Sequence, residues 1–184
     1  MTVTSIFQVS KETLSQEKIE QIANTCGQTR GLKYLAVADI HEKQETTALI
    51  GSWESMDDYL AWKPHPSCVN EESVVASFDT EKLKQWPVTD IAFLPMKSLS
   101  EFDAQREEIE AGLEMSSGHL GHECIIQDAS QNTVLMLVGW ETVEAHETFV
   151  VSPDSERYFQ SLEKLLAVSN PKMYHLKNFK VLSP

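Results

Sequence analysis

The sequence predicts an α+β chain made of two tandem ferredoxin-like repeats, each βαββαβ in order, whose sheets close on one another as an eight-stranded barrel within one molecule. Three observations predict it. The stretch ALIGSWESMDDYLAWKPHP, from Ala48 to Pro66, recurs without a gap as LMLVGWETVEAHETFVVSP, from Leu135 to Pro153, at an offset of 87 residues. The same offset sets Ile6 and Phe7 on Phe93 and Leu94, Gly31 on Gly118 and Thr46 on Thr133, so the repeat extends well upstream. Finally, a lone βαββαβ sheet carries both helices on one face and leaves the other apolar and bare, and a tandem copy can cover that face. The 184 residues divide accordingly into 1–87 and 88–184, each long enough for a modest core.

The elements are clearest in the second half. Val88, Ile91 and Phe93 give a strand over Thr89 to Leu94, closed by Pro95. Ser100 is the expected cap of the next helix, with Asp103 as capping-box partner and Phe102, Ile109, Leu113 and Met115 as its apolar stripe, before Ser116-Ser117-Gly118 stops it. From His119 to Gln127 a period of two puts Leu120, His122, Cys124 and Ile126 on one strand face and His119 on the other; a turn at Asp128 to Asn132 returns the chain through VLMLVGW. Thr142 caps a short helix running to about Val151, with Glu144 at the positive end of its dipole. Pro153 breaks that helix, and Asp154 or Ser155 restarts one with Tyr158, Leu162, Leu165 and Leu166 inward. The last strand spans Tyr174 to Leu182. The first half has only Asn70 to Pro87 for its late helix, so the strand at Val88 to Leu94 is expected to serve both halves.

Charge narrows the partners. With 28 acidic against 15 basic residues and a net charge of −13, a nucleic acid backbone or an anionic membrane surface is repelled. No stretch approaches the length of an apolar spanning helix, and MTVTSIFQVSKETLSQEK lacks the order of a signal peptide, so a cytoplasmic location is expected. Cys26, Cys68 and Cys124 are odd in number and far apart, which fits reduced structural thiols. The chain has no Gly-rich phosphate loop, nucleophile elbow or CxxC motif, and no carboxylate joins His119, His122 and His146 at a ligand spacing, so neither a metal nor an organic cofactor is expected. An apolar pocket for a small hydrophobic or aromatic molecule remains. The outer, helix-covered surfaces leave homodimerisation open.

The motif W-E-[ST]-x-[DE], followed by an aromatic nine positions after the Trp and a Pro four later, resembles the antibiotic biosynthesis monooxygenase family, as does Met173-Tyr174-His175-Leu176. That resemblance covers both copies. It implies the dimeric α+β barrel as a single-chain pseudodimer, and oxygenation, cyclisation or decarboxylation of an aromatic polyketide-like substrate without a cofactor. The ninth position after the Trp is often His in the family but is Trp62 and Phe149 here. This loss favours the alternative, a non-catalytic binding or interaction protein. Glu72 and Phe159 stand where haem-degrading relatives carry a His, which speaks against haem chemistry.

Three histidines are the candidate catalytic groups, because an imidazole near neutrality can take a proton from a phenol or enol. His122 stands opposite Leu35 of the first copy and His146 opposite Tyr59, so both are polar groups present in one copy only, while His175 occupies the closing strand. For His122 the competing reading is a hydrogen-bonded core residue. Trp140, Phe149, Tyr158, Tyr174, Tyr59 and Trp62 are the candidate substrate-binding rings. Tyr174 and His175 point to opposite faces of their strand, so only one can face a ligand. The duplicated Trp53 and Trp140 also suit a shared anchoring role between helix and sheet.

Overall fold

A computed structural model describes residues 2–12, 14, 17–19, 29–62, 74–78, 80–128 and 132–183. Its strands are β1 (Val3–Ser10), β2 (Leu32–Ile40), β3 (Thr46–Trp53), β4 (Val74–Ala76), β5 (Val88–Pro95), β6 (His119–Asp128), β7 (Thr133–Trp140) and β8 (Lys172–Ser183). Its helices with both ends among the described residues are α1 (Met56–Trp62), α2 (Thr80–Gln85), α3 (Leu99–Glu114), α4 (Val143–Val150) and α5 (Pro153–Leu165). Cys26, Cys68, Glu72, Pro66 and the middle of the Asp128–Asn132 turn lie outside the described residues. No helix among the described residues is long and apolar enough to cross a membrane.

The chain forms two compact units, Met1–Gln85 with Leu176–Pro184, and Trp86–His175. In the first, the strand order is β4-β1-β3-β2, with the end of β8 beside β2; in the second it is β8-β5-β7-β6. Both orders are the ferredoxin-like arrangement that the sequence predicts. The first unit closes with β4, whose Val74–Ala76 pair with Ile6 to Thr4 of β1. β5 therefore does not serve both halves. The strand that runs through both units is β8.

The register corrects the repeat. Val3 faces Trp53 across β1 and β3, and Val88 faces Trp140 across β5 and β7. Val3-Thr4-Ser5-Ile6-Phe7 thus corresponds to Val88-Thr89-Asp90-Ile91-Ala92, two residues out of step with the offset that holds for the Trp motif. Ser5 answers to Asp90, and Phe7 to Ala92.

Two caps also lie elsewhere. Ser98, not Ser100, starts α3, its Oγ accepting from the Glu101 N–H at 3.3 Å; Ser98 and Glu101 have the S-x-x-E spacing of a capping box. Ser152 caps α5, with Pro153 in the first turn, where its missing N–H costs nothing. Met115 lies past the end of α3 and is exposed. Thr142 caps α4 as expected, accepting from the Ala145 N–H at 3.0 Å.

In the second unit, Val88, Ala92 and Leu94 of β5 and Val134, Met136, Val138 and Trp140 of β7 pack against Phe102, Ile109 and Leu113 of α3, Phe149 of α4, and Tyr158, Leu162 and Leu165 of α5. Each large side chain taken fully out of water there contributes about 1.5–3 kcal/mol. On the opposite face Trp86 lies flat on Gly139, where a Cβ would come within 2.2 Å of its ring.

Candidate active site

Asp90 interrupts the apolar β5 row between Val88 and Ala92 on the helix-facing side, and is only 5% exposed. The Thr142 cap fixes the entry of α4, and one turn later His146 enters the same core, its ring centroid 5.1 Å from that of Trp140. β8 runs beside β5 and delivers His175. Its Nε2 lies 2.5 Å from His146 Nδ1, while His146 Nε2 is 3.9 Å from Asp90 Oδ2. Both imidazoles are 6% exposed. Carboxylate, imidazole and imidazole thus form a buried line in a low-dielectric setting, where each polar contact counts for more than it would in water.

A cavity of about 320 Å³ adjoins this line. Asp90, Ala92, Met136, Val138 and Trp140 form its sheet side, His146, Phe149, Tyr158, Phe159 and Leu162 its helix side, and Glu163, Asn170, Pro171 and Met173 lie on its lining too. The register explains why the space exists. In the first unit Phe7 fills the equivalent volume, stacked on Tyr59 at 6.3 Å and 6.2 Å from Trp62. Ala92 in that place leaves a gap, and His146 replaces Tyr59 at its edge.

The indole marks a second divergence. Trp53 Nε1 donates to Ser5 Oγ at 2.9 Å, so the first unit's buried N–H is satisfied. The residue answering to Ser5 is Asp90, and Trp140 Nε1 is buried with no hydrogen-bond partner among the described residues. A buried donor left unmade costs about 1–3 kcal/mol. Tyr158 donates its hydroxyl to Met136 Sδ at 3.4 Å. Burial first, then the negative charge of Asp90, push its phenol well above the ordinary value, so it stays neutral.

The other candidates lie apart from this cluster. Tyr174 is on the opposite sheet face, its ring 6.2 Å from Phe93. Tyr59 and Trp62 belong to the first unit, packed with Phe7 and Trp53. His122 lies beneath α3, with Nε2 3.7 Å from Glu110 Oε1 and Nδ1 3.4 Å from His119 Nε2. A bulge at Leu120 accounts for the difference from the sequence pattern. His119 faces Trp140 and Gly121 faces Gly139, so the extra residue brings His119 to the same side as His122 and leaves Leu120 43% exposed.

Around that pair, burial acts to raise the Glu110 carboxyl, but its bond to Arg106 at 2.6 Å brings it below the ordinary value overall. His119 is lowered, by burial first and by His122 next. Burial, with Glu110 second, pushes the Cys124 thiol up to about 12. Among the described residues no three metal-ligating side chains converge.

Asp90 is the functional candidate that sequence reasoning missed. The signal was present: VTSI at Val3–Ile6 and VTDI at Val88–Ile91 differ only where a hydroxyl becomes a carboxylate.

No family model and no curated protein matches the chain. Solved structures do. An anthrone oxidase-like protein matches 100% of this chain and 93% of its own at 11% identity and a TM-score of 0.62. A proposed monooxygenase from Fusobacterium nucleatum matches 99% and 93%, at 11% identity and a TM-score of 0.59. A regulator of staphylococcal pathogenesis matches 96% and 99%, at 14% identity and a TM-score of 0.53. Likeness at such identities is likeness of fold alone: the chain shares the α+β fold of these proteins.

Proposed function

We propose that the protein is a cofactor-independent oxygenase of an aromatic, polyketide-like phenol or its keto tautomer, working in the cavity of the second unit. One observation carries the reading: the line of Asp90, His146 and His175 adjoins an apolar cavity lined by Trp140, whose buried indole N–H has no hydrogen-bond partner among the described residues. If His146 Nδ1 gives its hydrogen to His175 Nε2, the lone pair of His146 Nε2 faces Asp90. Two electron-rich atoms 3.9 Å apart then favour a proton between them, and the substrate supplies it.

Trp140, Phe149 and Tyr158 hold the ring, His146 takes the proton with Asp90 stabilising the imidazolium, and Trp140 Nε1–H donates to the oxyanion. The resulting carbanion is electron-rich enough to react with O2 directly. An activated methylene gives up two hydrogens, one oxygen atom becomes the new carbonyl, and the other leaves as water. Phe159 and Leu162 keep bulk water from the intermediate. His175 is a positioning residue that holds the His146 tautomer.

The fold and the acidic surface agree with work on a small molecule in the cytoplasm, away from nucleic acid and membranes. Cyclisation or decarboxylation would use the same base, so oxygen uptake is the decisive measurement. Purified protein with chelator present should consume one O2 per anthrone-like substrate converted, and His146→Gln should abolish the uptake. Turnover without oxygen consumption would overturn the oxygenase assignment.

A further inference from the structure

A second cavity, of about 660 Å³, lies within the first unit, between the ends of β1, β2 and β3 and the short helix α2. Its chemistry is opposite in sign to that of the site above. Among the described residues, the 320 Å³ cavity has Asp90 and Glu163 on its lining and no lysine or arginine, whereas this one has Lys33 and Lys84 against the single carboxylate of Glu81. In a chain of net charge −13, such a bias runs against the composition.

The backbone aims one of the ammonium groups. β2 bulges at Lys33: Leu32 faces Trp53 and Tyr34 faces Ser52, so Lys33 is the extra residue and lines the cavity together with its neighbour Tyr34. The second unit has the matching bulge at Leu120, which carries no charge. Lys33 Nζ lies 3.2 Å from Thr2 Oγ1 and forms no ion pair among the described residues. Lys84 Nζ sits 4.2 Å from the centroid of the Tyr34 ring while paired with Glu81 at 2.6 Å. Tyr34 is itself fixed, its hydroxyl donating to the Thr80 carbonyl at 3.4 Å. Phe78 adds a second buried aromatic ring to the lining.

We propose that this cavity is a second ligand site, for a small aromatic carboxylate. Lys33 supplies the one ammonium on this lining not already matched by a carboxylate among the described residues, which suits a single negative charge. Tyr34 and Phe78 supply faces for a planar ring, and Lys84 brings a second ammonium to the same lining. The site goes beyond the oxygenase reading and does not depend on it.

Calorimetric titration of the full chain with naphthalene-2-carboxylate tests it. One saturable site is expected, with affinity falling as sodium chloride is added. Lys33→Gln with Lys84→Gln should weaken it tenfold or more, Lys33→Arg with Lys84→Arg should restore most of the loss, and Lys11→Gln, a change of equal charge elsewhere, should leave it unaltered. Naphthalene-2-carboxamide, the neutral isostere, should bind at least tenfold less well in a way the lysine variants do not change. Lys11, Lys33 and Lys84 are all exposed residues, so the variants should fold, and circular dichroism checks it. No binding at millimolar carboxylate, equal binding of the amide, or undiminished carboxylate binding in the double Gln variant would each overturn the proposal.

Discussion

His146 Nδ1 and His175 Nε2 stand 2.5 Å apart inside the second unit, joining a helix to a strand that is 29 residues away in sequence. Two imidazoles so placed share one hydrogen, and whichever ring donates it decides whether Nδ1 or Nε2 of His146 is left basic. His175→Leu should therefore lower kcat with little change in KM, by less than the roughly 10²–10⁴-fold that loss of a general base costs. His146→Gln should show the larger loss. Equal losses in both, with matching falls in stability, would reduce the pair to a structural bond.

The two tryptophans should respond differently to the same change. Trp53→Phe removes a buried hydrogen bond to Ser5 and should destabilise the protein by about 0.5–1.5 kcal/mol beyond the common loss of ring volume. Trp140→Phe removes an N–H that has no partner, so its stability cost should be smaller, while affinity for a phenolate analogue falls about tenfold. Urea unfolding of both variants and ligand titration of the second make the comparison.

Alkaline pH should weaken the fold through Cys124. Its folded-state value of about 12 lies above the ordinary 9.0, so between those values the unfolded chain ionises first and binds fewer protons. Stability then falls as pH rises above about 9 and levels off for this group near 12. Cys124→Ala should flatten that part of the stability-against-pH curve, measured between pH 8 and about 11. An unchanged slope would show that other groups, Tyr158 among them, dominate.

What the sequence made legible was local. The Trp-Glu-Thr turn, the Thr142 cap and the acidic helix start are written in neighbouring residues, and the βαββαβ order follows from periodicity. The pairing of His146 with His175 was not legible, because it depends on β8 lying beside β5. His119 and Leu120 fall on the faces opposite to those that strict alternation gives, because one bulged residue, Leu120, reverses the strand parity before His122. Asp90 escapes a strand reading built on the apolar residues Val88, Ile91 and Phe93. The two-residue slip between β1 and β5 hid its correspondence to Ser5.

That slip leads to the sharpest test. Phe7 and Ala92 occupy the same register position, opposite Leu49 and Met136, and the first unit shows what a Phe does there: it stacks on Tyr59 and lies 6.2 Å from Trp62. Ala92→Phe should place a ring in the 320 Å³ cavity beside His146 and Phe149. Because empty space is being filled, the fold should hold, with a cost of no more than about 1–3 kcal/mol if the ring is crowded. Substrate binding and turnover should disappear together. The reverse change, Phe7→Ala, should cost about 3–5 kcal/mol and open a similar space bordered by Tyr59, with no Asp–His line beside it. Such a space can take up an apolar ligand but has no base with which to ionise it. Thermal unfolding reads the stability of each variant, and oxygen uptake reads the chemistry. If Ala92→Phe folds and still consumes oxygen at the original rate, the reaction takes place elsewhere and the second unit's cavity is not the active site.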